Sequence, residues 1–103
     1  MADLEIRREG DATVVAPQGD VLSSSVPQMR IAMRDLVQSG VREMVFDLAG
    51  VSMIDSTGLG LLLAAFNSMT TAGGKFCVVG ASDEILELLR SMRVHQHFAV
   101  SGR

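Results

Sequence analysis

Two short apolar runs, Met44-Val45-Phe46-Asp47-Leu48 and Lys75-Phe76-Cys77-Val78-Val79, alternate with stretches whose apolar residues recur at helical spacing. Strands that alternate with helices need crossover connections, which are right-handed and build a largely parallel sheet. The chain opens differently. Leu4-Glu5-Ile6-Arg7 alternates apolar and polar residues, Gly10-Asp11 supplies a turn, and Thr13-Val14-Val15-Ala16 is a second β-branched run. Residues 3–18 therefore read as a β-hairpin, with Pro17 marking the end of its second strand or an irregularity in it. The expected class is α/β: the hairpin, then helix, strand, helix, strand, helix, and a last short strand at Phe98-Ala99-Val100.

The helix boundaries follow from local chemistry. Ser25 precedes Val26-Pro27 and is expected to cap a helix whose first turn tolerates proline. Met29, Ala32, Met33 and Leu36 fall on one face of it, and Ser39-Gly40 ends it. Ser82 is expected to cap the last helix, with Asp83 and Glu84 in the first turn, where the dipole favours acids. Ile85, Leu88, Leu89 and Met92 form its core stripe. The nearly continuous apolar run from Lys75 to Val79 reads as a strand buried on both faces, with Cys77 as a small core residue.

The whole chain, 1–103, is expected to be one domain, since 103 residues with 48% hydrophobic content suffice for a single core. Aromatics are 4% with no Trp or Tyr, and the net charge is -3. Both argue against nucleic acid, which calls for stacking platforms and a basic face. One cysteine cannot form an internal disulfide. No apolar run is long enough to cross a bilayer, and Met1-Ala2-Asp3-Leu4-Glu5 lacks the basic and apolar regions of a signal peptide. The expectation is a cytoplasmic protein with no direct membrane insertion.

The segment Asp55-Ser56-Thr57-Gly58-Leu59-Gly60 puts two hydroxyls where a loop after a strand becomes a helix. A helix N-terminus presents unpaired N–H groups and a partial positive charge. Spacing alone leaves two readings open. The side chains are helix caps, or Ser56 or Thr57 accepts a phosphate that the helix terminus tolerates.

At 100° per residue, Leu59, Leu62, Leu63 and Phe66 cluster as the core stripe of this helix. Leu61 falls nearly opposite, beside Thr57, Ala64 and Ser68. No charged side chain occurs from Ser56 to Thr71. A solvated helix face normally carries charge, so either another element of the domain covers this face or a partner protein docks there. The docking alternative places Gly60, Leu61 and Ala64 in the contact.

No catalytic residue, cofactor or metal site is expected. A nucleophilic serine needs a base and an orienting acid. The only histidines, His95 and His97, come late and lack further ligands. Gly58-Leu59-Gly60 has neither the third glycine nor the Lys-Ser/Thr of a phosphate loop.

The string from Asp47 to Gly60, DLAGVSMIDSTGLG, resembles the signature of the STAS domain, most closely that of bacterial anti-sigma-factor antagonists. The resemblance covers nearly the whole chain and includes the opening hairpin. It implies a STAS fold: a mixed, largely parallel sheet with helices packed on it. It also implies partner switching. The unphosphorylated protein binds a serine kinase that is also an anti-sigma factor, the kinase phosphorylates Ser56, and a PP2C-type phosphatase reverses this. Thr57 holds the secondary hydroxyl position. Asp20, Asp55, Ser56, Thr57, Gly58, Leu59, Gly60, Leu61 and Ala64 fall at the implied partner-binding positions. The chain departs from the family in two places. Leu22 stands where an Asp is common after Gly19-Asp20-Val21, and a further C-terminal helix is expected to be absent or reduced. An alternative role is a non-switching STAS scaffold or an accessory subunit of a signalling or membrane-transport assembly.

Overall fold

The structure, a computed structural model, describes residues 3–103. Met1 and Ala2, which open the stretch read for a leader peptide, lie outside it. Strands β1 (Asp3–Glu9) and β2 (Ala12–Gln18) form the hairpin. Helix α1 (Val26–Gln38) leads to β3 (Glu43–Asp47), and α2 (Ser56–Thr71) to β4 (Lys75–Ala81). Helix α3 (Asp83–Ser91) and a short 3-10 turn (Val94–Gln96) lead to β5 (Ala99–Gly102). The five strands lie in the order β1-β2-β3-β4-β5, antiparallel at the hairpin and parallel elsewhere. The α/β expectation holds, element by element.

Three crossovers step the same way along this sheet. Right-handed crossovers of that kind lay all their helices on one face. The register agrees. Val15, Phe46 and Val78 stand side by side across β2, β3 and β4, each no more than 1% exposed. One residue along, Val45 and Cys77 are only half-buried and Ala99 is exposed. Alternation along a strand sends neighbours to opposite faces, so this second row lies on the helix-free face. Arg7 bridges that face, reaching from β1 across β2 to the Asp47 carboxylate on β3 at 3.5 Å. Val14, the cross-strand partner of Arg7 on this face, is buried.

The run from Lys75 to Val79 is therefore half-buried, not covered on both faces. Its apolar residues are near-continuous, but Cys77 and Val79 lie on the open side. Partial burial, then the nearby Glu43, push the Cys77 thiol pKa up.

Helix α2 corrects a second expectation. Leu61 is 1% exposed and belongs to the core, whereas Leu63 is only half-buried. The helix is flanked by both β4 and α1, so its buried arc is wide and runs through Gly58, Leu61, Leu62, Ala65 and Met69. Apolar side chains occupy so many positions on α2 that periodicity cannot set its rotation. The assignments of Leu61 and Leu63 exchange.

Ser25 stands at the N-cap position of α1 but makes no side-chain cap. It is 2% exposed, and its hydroxyl accepts from Leu22 N and has the carbonyls of Asp20 and Leu22 as acceptors for its single proton. Ser82 does cap α3, accepting from Ile85 N at 3.2 Å. His95 and His97 lie at the 3-10 turn, both exposed, with the His97 ring 6.1 Å from that of Phe66. No helix among the described residues is long and apolar enough to cross a membrane.

The inverted rotation of α2 is directly testable. Truncating a fully buried leucine costs about 2–5 kcal/mol. Leu61→Ala is expected to lose stability in that range in urea denaturation, and Leu63→Ala well under half as much.

Candidate phosphoacceptor and docking site

The segment after β3 returns to the segment after β2. Val21 and Ile54 form an isolated parallel bridge, with Val21 N donating to Met53 O at 3.0 Å and Asp55 N to Val21 O at 3.2 Å. Two carboxylates fix this junction. Asp20 accepts from Met53 N at 3.0 Å. Asp55 uses both oxygens, accepting from Gly58 N at 2.9 Å and Ser23 N at 2.9 Å.

Asp55 is thus the N-cap of α2. Ser56 is the first helical residue and not a cap, which corrects the capping reading of that hydroxyl. The reason is reach: the extended backbone of Asp55 aims its carboxylate at the third helical N–H. Hydrogen bonds from Gly58, then Ser23, hold the Asp55 pKa below its ordinary value.

Gly58 is where the helix meets the Val21 loop. A Cβ there would lie 2.5 Å from Val21 O and 2.6 Å from Ile54 Cγ1. Gly60 is the opposite case, for a Cβ at that position would meet nothing within 4 Å. A mid-helix glycine with open space around it lowers helix stability for no internal packing reason.

The candidate residues therefore separate into two layers. Ser56 and Thr57 are exposed, and Asp20, Asp55, Gly60 and Ala64 are half-buried. Gly58, Leu59 and Leu61 are buried and support the surface from below; Leu61 does not present itself to a partner. The surface of α2 runs through Ser56, Gly60, Leu63, Asn67 and Thr71 and carries no charge. Met53 belongs beside this surface and escapes sequence reasoning. It is 58% exposed, the most open of the large hydrophobic side chains, three residues before Ser56. A methionine in a loop has no periodicity to reveal its direction. Leu22 is half-buried one residue from Val21, and Ser23 and Ser24 are exposed beyond it. Among the described residues, no group of three or more His, Cys, Asp or Glu side chains is placed to hold a metal ion.

The STAS domain family model matches residues 3–102. The chain belongs to the STAS domain family. The anti-sigma-B factor antagonist of Staphylococcus aureus (strain NCTC 8325 / PS 47) is 30% identical over 67 residues, which are 65% of this STAS chain. The chain spans 62% of the length of that curated relative. Among solved structures, an anti-sigma factor antagonist from Mycobacterium paratuberculosis superposes with a TM-score of 0.89 at 19% identity, covering 100% of this chain and 87% of its own. The Bacillus cell-fate determinant SpoIIAA in its phosphorylated form superposes at 0.75 with 18% identity, covering 97% and 90%. Its unphosphorylated form gives the same TM-score, 0.75. At these identities the structural likeness speaks for the STAS fold alone.

Two outcomes are expected at the junction. Gly58→Ala should destabilise the protein by about 1–3 kcal/mol, because the added carbon meets backbone that cannot yield; thermal or urea unfolding measures it. The lowered Asp55 pKa stabilises the fold fully above the unfolded value of about 4, and this stabilisation is lost as pH falls through the lower folded value. Stability measured from pH 7 to pH 2 should fall across that acid range in the parent, and less steeply in Asp55→Asn.

Proposed function

We propose that this STAS protein is an anti-sigma-factor antagonist that works by partner switching, with Ser56 as its phosphoacceptor. In its unphosphorylated form it binds a serine kinase that doubles as an anti-sigma factor and so releases the kinase's other client. Phosphorylation of Ser56 ends that binding, and a PP2C-type phosphatase restores it. Thr57 is the secondary hydroxyl. The chain is the substrate of these enzymes and performs no catalysis.

The observation that carries this reading is the setting of Ser56. It is exposed at the first turn of a helix that has no charged residue along its length. The relatives reinforce it, since SpoIIAA exists in phosphorylated and unphosphorylated forms and this chain resembles both equally. A phosphate carries about -1.5 to -2 charges at pH 7. The Asp55 carboxylate takes the Gly58 N–H at the start of α2, and the Ser56 side chain is exposed, so a phosphate on Ser56 stands at the surface beside a like charge. There it leaves the fold intact and opposes burial of the surface in a complex, because desolvating an unpaired dianion is costly. Gly60 fits the same reading: its missing side chain lets a partner approach the helix closely, at a cost in helix stability.

Incubation with the cognate kinase, followed by phosphopeptide mapping, should place phosphate on Ser56; phosphate only at other residues overturns the assignment. Ser56→Asp should abolish kinase binding while leaving the melting temperature within a few degrees of the parent. Gly60→Ala should raise stability by about 0.5–1 kcal/mol yet weaken kinase binding. Unchanged affinity in both variants would remove the docking surface from this part of α2.

A further inference from the structure

A groove separates α1 from α2 on the outside of the helical layer. Its inner end is a cleft of about 200 Å³. Met33 and Val37 of α1, Leu61 and Ala64 of α2, and Met44 of β3 line it. The cleft continues outward past Val37 and Ser68 into a second, more polar stretch that reaches Gln38, Asn67 and Thr71. Its origin is local. Beyond Leu61, helix α2 lines the cleft with Ala64, Ala65 and Ser68, and side chains this small leave space between two packed helices unfilled.

Two cations line the apolar cleft. Arg30 and Arg34 are four residues apart on α1, one helical turn, and both are exposed. Among the described residues Arg30 makes no ion pair, and Arg34 has only its sequence neighbour Asp35 at 3.9 Å. The two guanidiniums therefore retain hydrogen-bonding capacity beside an apolar slot. An apolar body with one planar anionic head matches both halves of that arrangement, and arginine is the side chain suited to bidentate carboxylate recognition.

We propose that the α1–α2 groove is a binding site for a small aliphatic carboxylate. The hydrocarbon chain lies between Val37 and Ala64, over a floor formed by the buried Met33 and Leu61, and the carboxylate is held by Arg30 and Arg34. A pocket of mostly apolar lining with a few convergent polar groups is the usual form of a small-ligand site. The site is separate from Ser56 and stands whether or not that residue is phosphorylated. Leu61 and Ala64 belong to the same helix as Ser56, so a ligand here touches the element that carries the proposed switch.

The test uses the full chain, isotopically labelled, with decanoate as the probe and 1-decanol as its uncharged counterpart. Decanoate is titrated below its aggregation concentration while amide shifts are followed by NMR. Saturable shifts confined to residues 30–37 and 61–68 are expected, with decanol binding at least about tenfold more weakly. Arg30→Gln combined with Arg34→Gln should weaken decanoate by a similar factor and leave decanol unaffected; both positions are on the surface, so the fold is retained. Ala64→Phe, which fills the slot, should weaken both probes. Equal binding of the two probes overturns the proposal, as do shifts centred on the helix-free face of the sheet. Linear shifts without saturation overturn it too. Tighter binding of a glutamate-rich peptide than of decanoate at the same residues would replace the carboxylate with an acidic protein segment.

Discussion

The Asp55 carboxylate joins two backbone segments far apart in sequence, and the site is built around that junction. One oxygen ends the N–H ladder of α2 at Gly58, and the other holds Ser23 in the loop after β2. A carboxylate that accepts two backbone N–H bonds keeps its charge and fixes its own rotamer. The Val21–Ile54 bridge and the Asp20 bond to Met53 tighten the same seam. Ser56 owes its exposed position to this arrangement. Asp55 takes the capping role, and the serine one residue later is turned outward.

Behind the junction, the fold is a one-sided layer. Every crossover runs the same way, the helices gather on one face, and the opposite face carries Val45 and Cys77 and the ion pairs of Arg7 with Glu5, Glu9 and Asp47. Helix α2 lies at the centre of the layer, between α1 and the strands, and must be apolar over most of its circumference. What remains for its outer surface is small and uncharged. The uncharged surface at the start of α2, where protein contact is proposed, thus shares a cause with the burial of Leu61. The groove beside α1 has the same origin, since the small residues along that flank leave room that the core does not fill.

Much of the site was legible in the sequence because it depends on local chemistry. The Asp-Ser-Thr-Gly order fits a cap followed by an exposed hydroxyl, and the absence of charge across α2 is visible by inspection. The residues that escaped are those whose direction is set by distant contacts. Met53 sits in a loop without periodicity, and Ser25 turns its hydroxyl into its own loop instead of capping α1; Asp20 was named from the family resemblance, but its bond to a backbone amide more than thirty positions away was not legible.

Sequence alone determined the order of elements, the parallel character of the sheet and the STAS membership. These follow from alternating periodicities and from a motif that is local in the chain. Tertiary structure decided the rotation of α2, the exposure of Cys77 and Val79, and that Asp55 rather than Ser56 caps the helix. The physical reason is the same in each case. Where nearly every residue of a segment is apolar, hydrophobicity says that the segment is buried but not which side is covered. That is settled only by what packs against it: α1 and β4 around α2, and no helix at all across the far face of the sheet.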